Sequence, residues 1–185
     1  MVLEQAFTVG FDNWYSLFVR TGVEHNILRK LMNLRIDSLQ YHIPRRELKI
    51  RRGGAWHVEI DTMFPGYILV HGQLTADSYN KIKQISDVYT WICNETGPLP
   101  ISQNEIGVLR KLLDGQDVIR MSKALFEGDK IVIVEGPLMG NEAIIRKVDR
   151  RSGRVKIAVT MYGSEKLVDI CVDNISGKEN ELSPL

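Results

Sequence analysis

The sequence predicts an α+β fold in two parts, a domain in which strands and helices alternate and a small β-barrel that follows it. Three observations predict this. Apolar residues recur at helical spacing in three segments before Gly115, segments rich in β-branched and aromatic residues lie between them, and the helical spacing disappears after Gly115. A chain of 185 residues has room for two small domains.

The first strand and the first helix lie near the start of the chain. Residues 14–19 are rich in aromatic and β-branched residues and predict a strand. Thr21 and Glu24 have the spacing of a capping box, and apolar residues continue at helical spacing to about Ile36, so we expect a helix here. Residues 1–12 show little periodicity and are expected to be frayed.

The next segment predicts a basic β-hairpin or loop that projects from the domain. Residues 45–52 contain five basic residues and one acidic residue, and Gly53–Gly54 is a typical hairpin turn. Apolar and polar residues then alternate along a return strand from Trp56 to Asp61. Pro44 confines any strand just before the hairpin to the edge of a sheet. The alternative interpretation of the charges is a solvated face.

Residues 64–70 predict a central strand with a stiff aromatic entry. The apolar run that ends this segment is typical of a strand buried on both faces. Pro65 has no N–H to donate and can stand only where the strand begins, while Gly66 lets another group come close. Phe64 and Tyr67 then flank the turn. The alternative is an ordinary core strand with an aromatic plug.

Two further helices complete the first domain. We expect one from Thr75 to Ile85, with Thr75 as its N-cap, and a strand over residues 88–93. Ser102 and Glu105 repeat the capping-box spacing at the start of the third helix. The order β-α-β-β-α-β, with a terminal helix, is the ferredoxin-like arrangement.

The second part of the chain contains only short strands and turns. Residues 116–125 are mixed and polar and predict a linker, and residues 178–185 predict a disordered tail. Several strands within about 50 residues indicate a small barrel over residues 126–177. The expected strands are Lys130–Val134, Ala143–Val148, Val155–Met161 and Lys166–Cys171, with turns at Gly136–Pro137, Ser152–Gly153 and Tyr162–Gly163.

Composition and motifs narrow the class of protein. A net charge of +1 gives no overall attraction to nucleic acid, so any such binding must come from local patches. Two distant cysteines and four scattered histidines have no metal-type spacing, and neither a phosphate-binding loop nor a nucleophile elbow is found. We therefore expect no enzyme, no metal and no cofactor. Without a signal peptide or a membrane-length apolar segment, the prediction is a soluble cytoplasmic monomer.

Four motifs, in order along the chain, resemble the NusG family of transcription elongation factors. The resemblance covers Trp14 to about Lys178, and it implies an N-terminal NGN domain over residues 1–115 and a KOW domain, an SH3-like barrel, over residues 126–177. Ala143 departs from the glycine usual in the KOW motif. The motifs are Trp14–Tyr15 with Gly22 and Glu24, residues 64–67, residues 97–101, and Gly128–Asp129 with Gly136–Pro137 and Val148–Asp149.

The resemblance implies that the NGN domain binds RNA polymerase at the clamp coiled coil of the β′ subunit. A helical tip needs an apolar cavity with aromatic anchors, because aromatic residues are common energetic centres of interfaces. Neighbouring residues on a strand point in opposite directions, so one of Trp14 and Tyr15 is expected to be structural. The candidate polymerase-binding residues are Trp14, Tyr15, Phe64, Pro65, Gly66 and Tyr67.

Residues 44–47 and two basic clusters resemble specialised members of the family, especially the LoaP type, which are antiterminators of selected operons loaded through a leader RNA. The hairpin cluster is expected near upstream or non-template DNA. The barrel cluster is expected to bind a structured nascent RNA hairpin, although strand alternation prevents all its members from acting together. The DNA candidates are Arg45, Arg46, Lys49, Arg51 and Arg52, and the RNA candidates are Arg146, Lys147, Arg150, Arg151, Arg154 and Lys156.

Two alternatives involve the same barrel. A general NusG-type factor would use it to contact a ribosomal protein or a termination factor. A ribosome-associated KOW protein would leave the first domain unexplained. Residues 126–176 have no strong helical stripe, which argues against a second, helical state of the barrel.

Overall fold

The chain folds into two units, and each unit is built from two separate stretches of the sequence. The computed structural model describes residues 13–113, 115, 117–127 and 130–175. They form two compact units, the first from described residues within Met1–Pro44 and Thr62–Ile106, and the second from those within Arg45–Asp61 and Gly107–Leu185. The predicted hairpin segment therefore belongs to the second unit, although it lies between two parts of the first.

A four-stranded antiparallel sheet forms the first unit. The strands are ordered β2-β5-β1-β6, so the two central strands are the first and third of the predicted βαββαβ pattern. This confirms the ferredoxin-like arrangement. The elements are β1 (Trp14–Val19), α1 (Glu24–Asn33), β2 (Leu39–His42), β5 (Tyr67–Gly72), α2 (Ala76–Lys83) and β6 (Val88–Trp91), followed by the short strands β7 (Cys93–Asn94) and β8 (Gly97–Pro98).

One face of this sheet carries the core of the first unit. Residues at alternate positions of β1 and β5 pack with the apolar sides of α1 and α2, because successive strand residues point to opposite faces. The run of apolar residues predicted in the central strand is completely buried from Ile68 to Val70. The core side chains include Tyr15, Leu17, Val19, Ile27, Leu31, Ile68, Val70, Ile82 and Trp91.

The three helix starts were predicted from capping boxes or an N-cap, and two of the three are confirmed. Thr75 caps α2 by accepting from the Ser78 backbone N–H at 3.2 Å. Ser102 caps α3 (Gln103–Leu113), where the Ser102 N–H donates to Glu105 at 3.1 Å. The capping box at Thr21 is wrong. The N-cap of α1 is Val23 without a side-chain bond, because the Glu24 carboxylate instead accepts from a distant backbone N–H.

The predicted basic hairpin is confirmed as two strands, β3 (Arg45–Arg52) and β4 (Ala55–Thr62). Gly53 and Gly54 join them with φ angles of +59° and +85°, as expected of a two-residue turn of the hairpin type. With β9 (Val118–Ile119), which runs parallel to β3, they form a three-stranded sheet ordered β4-β3-β9. The sheet is therefore part of the second unit.

The barrel strands form a five-stranded sheet ordered β11-β10-β14-β13-β12. Strand β10 begins inside the segment predicted as a linker, and residues 142–144 form a 3₁₀ turn where a strand was expected to begin. Buried apolar residues at alternate positions of β13 supply part of the core. The strands are β10 (Ser122–Glu127), β11 (Lys130–Glu135), β12 (Ile145–Asp149), β13 (Arg154–Met161) and β14 (Ser164–Asn174).

Some predictions fall on residues that the structure does not describe. These are the frayed start at residues 1–12, the Gly128–Asp129 part of the KOW-like motif and the tail at residues 178–185. The predicted turn at Gly136 is present. Its φ is +100°, and a Cβ atom there would lie 2.7 Å from the Cα of Ser122, so only glycine fits.

Candidate functional site

Three aromatic side chains group together on the face of the first-unit sheet opposite its core. The rings of Phe18 and Tyr67 pair across β1 and β5 with centroids 5.4 Å apart, and Phe18 and Tyr89 have centroids 5.3 Å apart. Tyr89 is 54% exposed, and Pro65 is also exposed. We call Phe18, Pro65, Tyr67 and Tyr89 the aromatic surface. It offers flat apolar rings to a partner.

Gly66 holds this surface in place. Its backbone N–H donates to Glu24 Oε1 at 2.7 Å, and its carbonyl accepts from Val19 N at 2.9 Å. Its φ is +83°, and an added Cβ would lie 3.0 Å from Thr21 Oγ1 and 3.3 Å from a ring carbon of Phe18. The close approach predicted for this glycine is therefore present, and it brings the strand entry against the Phe18 ring.

The Glu24 carboxylate at this junction is buried. Burial pushes its pKa up, but backbone N–H groups at Gly66, Glu24 and Gly22 push it down further, so the net pKa lies below its usual value. The ionised form is thus the one that holds Gly66.

Three of the predicted polymerase-binding residues are buried. Trp14 is 7% exposed and stacks on His71 with ring centroids 4.4 Å apart. Tyr15 is 6% exposed and meets Trp91 edge to face at 6.3 Å, and burial raises its pKa. Phe64 is 5% exposed. The structure therefore corrects the expectation of an exposed rim at these three positions, since the rings of Trp14 and Tyr15 pack on other rings of the unit and Phe64 is buried.

Of the remaining candidates, Pro65 is exposed and Tyr67 is half-buried, whereas Gly66 is buried. Trp14 and Tyr15 do point to opposite faces, as predicted, but both are structural. Sequence reasoning missed Phe18 and Tyr89. The signal was available for Phe18, because it lies between the core residues Leu17 and Val19 and therefore points to the opposite face of β1.

Two residues of the hairpin basic cluster bind the barrel strand β14, within the second unit. The Arg46 guanidinium donates to the carbonyl of Asp169 at 2.8 Å, and Lys49 Nζ lies 2.7 Å from Asp173. The Lys49 N–H also donates to the thiol of Cys171. The hairpin therefore does not project freely, as the sequence predicted, because β3 lies beside β14.

The other members of this cluster are placed differently. Arg45 donates its backbone N–H to Asp117 at 2.7 Å and is half-buried. Arg51 and Arg52 lie at the turn and are exposed, and Arg52 pairs with Glu59 at 3.0 Å. The acidic residue of the cluster, Glu47, is 13% exposed in its side chain and accepts from Arg120 at 2.6 Å.

The barrel cluster also divides into engaged and exposed residues. Arg154 donates to the carbonyl of Lys49 at 3.3 Å, Lys156 pairs with Asp169 at 2.9 Å, and Arg146 pairs with Glu165 at 3.1 Å. Lys147, Arg150 and Arg151 are exposed beside the β12–β13 turn. The Arg150 guanidinium lies over the ring of Phe126, 5.5 Å from its centroid.

Asp149 shapes the turn between β12 and β13. Its carboxylate accepts from the Ser152 backbone N–H at 3.2 Å. Hydrogen bonds from Ser152 hold the pKa of this carboxyl below its usual value. A charged carboxylate therefore closes the turn on which the exposed cations lie.

Comparison with known proteins shows the family to which the chain belongs. A family model described as transcription termination factor nusG matches residues 12–110, more than half of the sequence. The chain belongs to the NusG family. The NusG transcription termination/antitermination protein of Streptococcus pyogenes serotype M3 is 26% identical over 170 residues, which cover 86% of this chain and 93% of that protein. NusG of Pseudomonas aeruginosa is 25% identical over 166 residues, covering 85% and 93%.

A solved structure agrees on the fold. The structure titled "Domain interaction in Thermotoga maritima NusG" matches with a TM-score of 0.56 and 20% identity, covering 86% of this chain and 93% of that chain. The NGN and KOW architecture predicted from the motifs is therefore confirmed. The protein is a NusG-type transcription termination/antitermination factor.

The predicted absence of enzymatic function agrees with the family, whose members are transcription factors. Among residues 13–175, as far as they are described, the structure brings no group of three or more His, Cys, Asp or Glu side chains together for a metal ion. In the same part of the chain, every helix is too short or too polar to cross a membrane.

Proposed function

We propose that this NusG-family protein binds RNA polymerase through the aromatic surface of its first unit and suppresses pausing and termination. The single observation that carries this is the grouping at the surface of the half-buried Phe18 and Tyr67 with the exposed Tyr89 and Pro65. Flat aromatic anchors on a rigid sheet fit the tip of a helical hairpin, such as the clamp coiled coil of the β′ subunit. The domain concerned is the predicted NGN domain, residues 1–115.

The proposed mechanism is a population shift. A protein that bridges the clamp to the opposite side of the DNA cleft binds the closed, elongating form of polymerase better than the open, paused form. It therefore raises the fraction of elongating polymerase without making or breaking any covalent bond.

The barrel is proposed to give the factor its choice of operons by binding a structured leader RNA, as in the LoaP type. The exposed cations Lys147, Arg150 and Arg151 support this, because they lie together at one turn and their exposed charges can bind phosphate. The other predicted RNA contacts, Arg146, Arg154 and Lys156, already hold protein groups.

A general NusG-type factor is the second candidate, with the barrel contacting a ribosomal protein or a termination factor. Exposed apolar residues of the barrel favour it. Met139 is 59% exposed and Leu167 is 55% exposed, and such side chains suit a protein partner better than an RNA.

Affinity for the core polymerase tests the first proposal. Tyr67→Ala and Tyr89→Ala are expected to weaken binding at least tenfold, since aromatic anchors at interfaces are worth about 2 kcal/mol or more. Met32→Ala is the matched control, because Met32 is an exposed apolar residue of the same unit at 63%. Unchanged affinity in both tyrosine variants would place the polymerase contact elsewhere.

A gel shift with the leader RNA of a candidate target operon tests the proposal that the barrel binds a structured RNA. Reversing the charge of Lys147, Arg150 and Arg151 is expected to abolish a shift that an unrelated hairpin RNA does not show. Equal binding to every RNA tested would contradict a specific reader. A barrel that binds no RNA but captures a ribosomal protein would establish the general factor instead.

A further inference from the structure

The open edge of the first-unit sheet borders a groove that the function proposed above does not use. Strand β2 is the outer strand of this sheet in the described part of the chain. A cavity of about 550 Å³ lies along it, walled by all of β2 and by Met32, Arg35, Ile36 and Asp37. Because residues from both faces of β2 line the cavity, it follows the edge of the strand rather than one face of the sheet.

The hydrogen bonds of the neighbouring strand show which backbone groups of β2 face outward. In an antiparallel pair, residues opposite each other alternate between pairs that exchange backbone hydrogen bonds and pairs that do not. The Gly72 N–H donates to Asn13 O at 2.9 Å, on the β1 side, so Gly72 is turned away from its β2 partner Leu39. By the same alternation Val70 is turned away from its partner Tyr41. The N–H and C=O of Tyr41 therefore point to the open side of β2.

These backbone groups specify a polypeptide strand as the ligand. An extended strand beside Tyr41 accepts from its N–H and donates to its C=O, which is how peptides bind at sheet edges. Leu39 adds only its carbonyl, since its N–H donates to Ile36 O at 3.0 Å. Among the described residues that line the groove, one cation, Arg35, and one anion, Asp37, offset each other. The groove therefore lacks the positive charge with which proteins bind nucleic acid.

The walls of the groove suit apolar side chains of such a strand. Met32 is 63% exposed, and Ile36 and Tyr41 are half-buried. Burial raises the pKa of Tyr41 to about 12, so this residue adds no charge to the wall at neutral pH. Alternate residues of a strand share one face, so a segment with apolar residues at alternate positions can direct them all into the groove.

The size of the groove favours a short segment over a second copy of the chain. Strand β2 has four residues, which span about 13 Å. Stable interfaces between folded proteins need about 20–30 residues on each side. A groove walled by so few residues holds an extended segment, for which backbone pairing supplies much of the affinity.

We propose that β2 binds an extended segment of another protein, which adds an antiparallel fifth strand to the first-unit sheet and places its apolar side chains in the groove. This interaction goes beyond the proposed function and does not depend on it. Tyr89 of the aromatic surface lies on β6, at the opposite edge of the sheet. The edge at β2 is thus separate from the edge that carries Tyr89.

Binding of a labelled peptide to the full-length protein tests the site. The probe is a peptide of alternating valine and threonine, long enough to span β2, and the control is the same peptide N-methylated at its valines. Fluorescence anisotropy should show saturable binding of the probe and roughly tenfold weaker binding of the control, which cannot donate the same backbone bonds. A probe that does not bind, or a control that binds equally well, would overturn the strand pairing.

Hydrogen exchange of single amides gives a result that an apolar contact alone does not produce. With saturating probe, exchange of the Tyr41 N–H should slow at least tenfold, because this group gains an acceptor. Exchange at Gln40 and His42 should change less, since their N–H groups already face β5. Unchanged exchange at Tyr41 would refute the added strand.

Two substitutions at Tyr41 separate its backbone donor from its ring. Tyr41→Ala and Tyr41→Pro both remove the ring, but only proline removes the outward N–H, which the sheet itself does not use. The proline variant should bind the probe several-fold more weakly than the alanine variant. Equal affinities of the two variants would contradict the proposed hydrogen bond.

A charge placed in the groove tests its apolar wall without touching the core. Met32→Lys should weaken probe binding about tenfold, because it puts an ammonium group where apolar side chains are expected. Met139→Lys is the matched control, since Met139 is 59% exposed and belongs to the second unit. Equal binding by these two variants would show that the probe lies elsewhere.

Other occupants of the groove are outcomes of the same experiments. A synthetic peptide of residues 1–12 that binds more tightly than the probe would assign the groove to this chain's own N-terminus. A dimer in sedimentation experiments that Met32→Lys dissociates would assign it to a second copy. Either result would overturn the proposal of a foreign segment.

Polymerase affinity separates this inference from the proposed function. Met32→Lys should leave the affinity for core polymerase unchanged, and Tyr89→Ala should leave the affinity for the probe unchanged. If Met32→Lys weakened polymerase binding as much as Tyr89→Ala, the groove would belong to the polymerase contact and a separate site would be refuted.

Discussion

Glu24 accepts a hydrogen bond from the backbone N–H of Gly66 at 2.7 Å, between residues separated by 42 positions in the chain. The bond joins the first turn of α1 to the entry of the central strand β5. It lies directly behind Phe18 and Tyr67, so one buried carboxylate fixes the position from which the aromatic surface is presented.

Removing this carboxylate should destabilise the first unit. We expect Glu24→Ala to lower the free energy of unfolding by about 1–3 kcal/mol, because it leaves the Gly66 N–H buried without an acceptor. Glu24→Gln keeps an acceptor oxygen and should cost less. Urea unfolding of the two variants measures the difference, and equal losses would show that the carbonyl-type oxygen contributes nothing.

The same carboxylate predicts how stability depends on pH. The pKa of Glu24 is lower in the folded state than its ordinary value of 4.5. Its contribution is therefore present above about pH 4.5 and is lost as the pH falls through the lower folded-state pKa. The stability difference between the unchanged protein and Glu24→Gln should shrink over that acid range. A difference that stays constant from pH 7 to pH 3 would contradict the assignment.

Gly66→Ala should lower the stability of the first unit more than the addition of a single methyl group suggests. The residue has a φ of +83°, and the new methyl group would lie 3.0 Å from Thr21 Oγ1. Strain of this kind costs on the order of 1–3 kcal/mol. Gly163→Ala is a suitable control, since it has a similar φ of +73° but open space around the added atom. Thermal unfolding of both variants separates the crowding from the backbone strain.

Glu47 should stabilise the second unit, although it lies in a basic cluster. It accepts from Arg120 at 2.6 Å and from Met121 N at 2.9 Å. Glu47→Ala should destabilise the protein by about 1–3 kcal/mol, because a backbone donor and a guanidinium lose their acceptor. Glu59→Ala is the comparison, because its pairing with Arg52 is exposed and should contribute less than about 1 kcal/mol. Chemical denaturation of each variant measures both.

A matched pair of isoleucines tests the burial of the central strand. Ile68 is 0% exposed and Ile60 is 51% exposed. Ile68→Ala should cost about 2–5 kcal/mol, whereas Ile60→Ala should cost less than about 1 kcal/mol. Similar losses in urea unfolding would show that the hairpin strand is covered in solution.

The sequence predicted the strand order and the helices of the first unit because local signals agreed with the fold there. Thr75 and Ser102 cap helices in which each hydroxyl faces its own helix end. Thr21 and Glu24 have the same spacing, yet Glu24 is used by Gly66 instead. A spacing of three residues shows what a side chain can reach, but not which distant backbone group competes for it.

The candidate sites were harder to predict than the fold for the same reason. The aromatic side chains of Trp14, Tyr15 and Phe64 are buried, and charge alone did not reveal that Arg46 and Lys49 face carbonyl and carboxylate groups of β14. These partners lie more than a hundred residues away in the chain. Exposure at Tyr89 and Trp56 likewise depends on what the fold leaves uncovered.

The path of the chain through the second unit limits how the protein can be divided. Its hairpin, residues 45–61, is inserted between β2 and β5 of the first unit. No single cleavage point can separate the units, and a fragment ending at residue 115 would carry the hairpin without the strand that Lys49 and Arg46 bind. Fragments made for binding studies therefore need the hairpin excised and replaced by a short turn, or else the intact polypeptide.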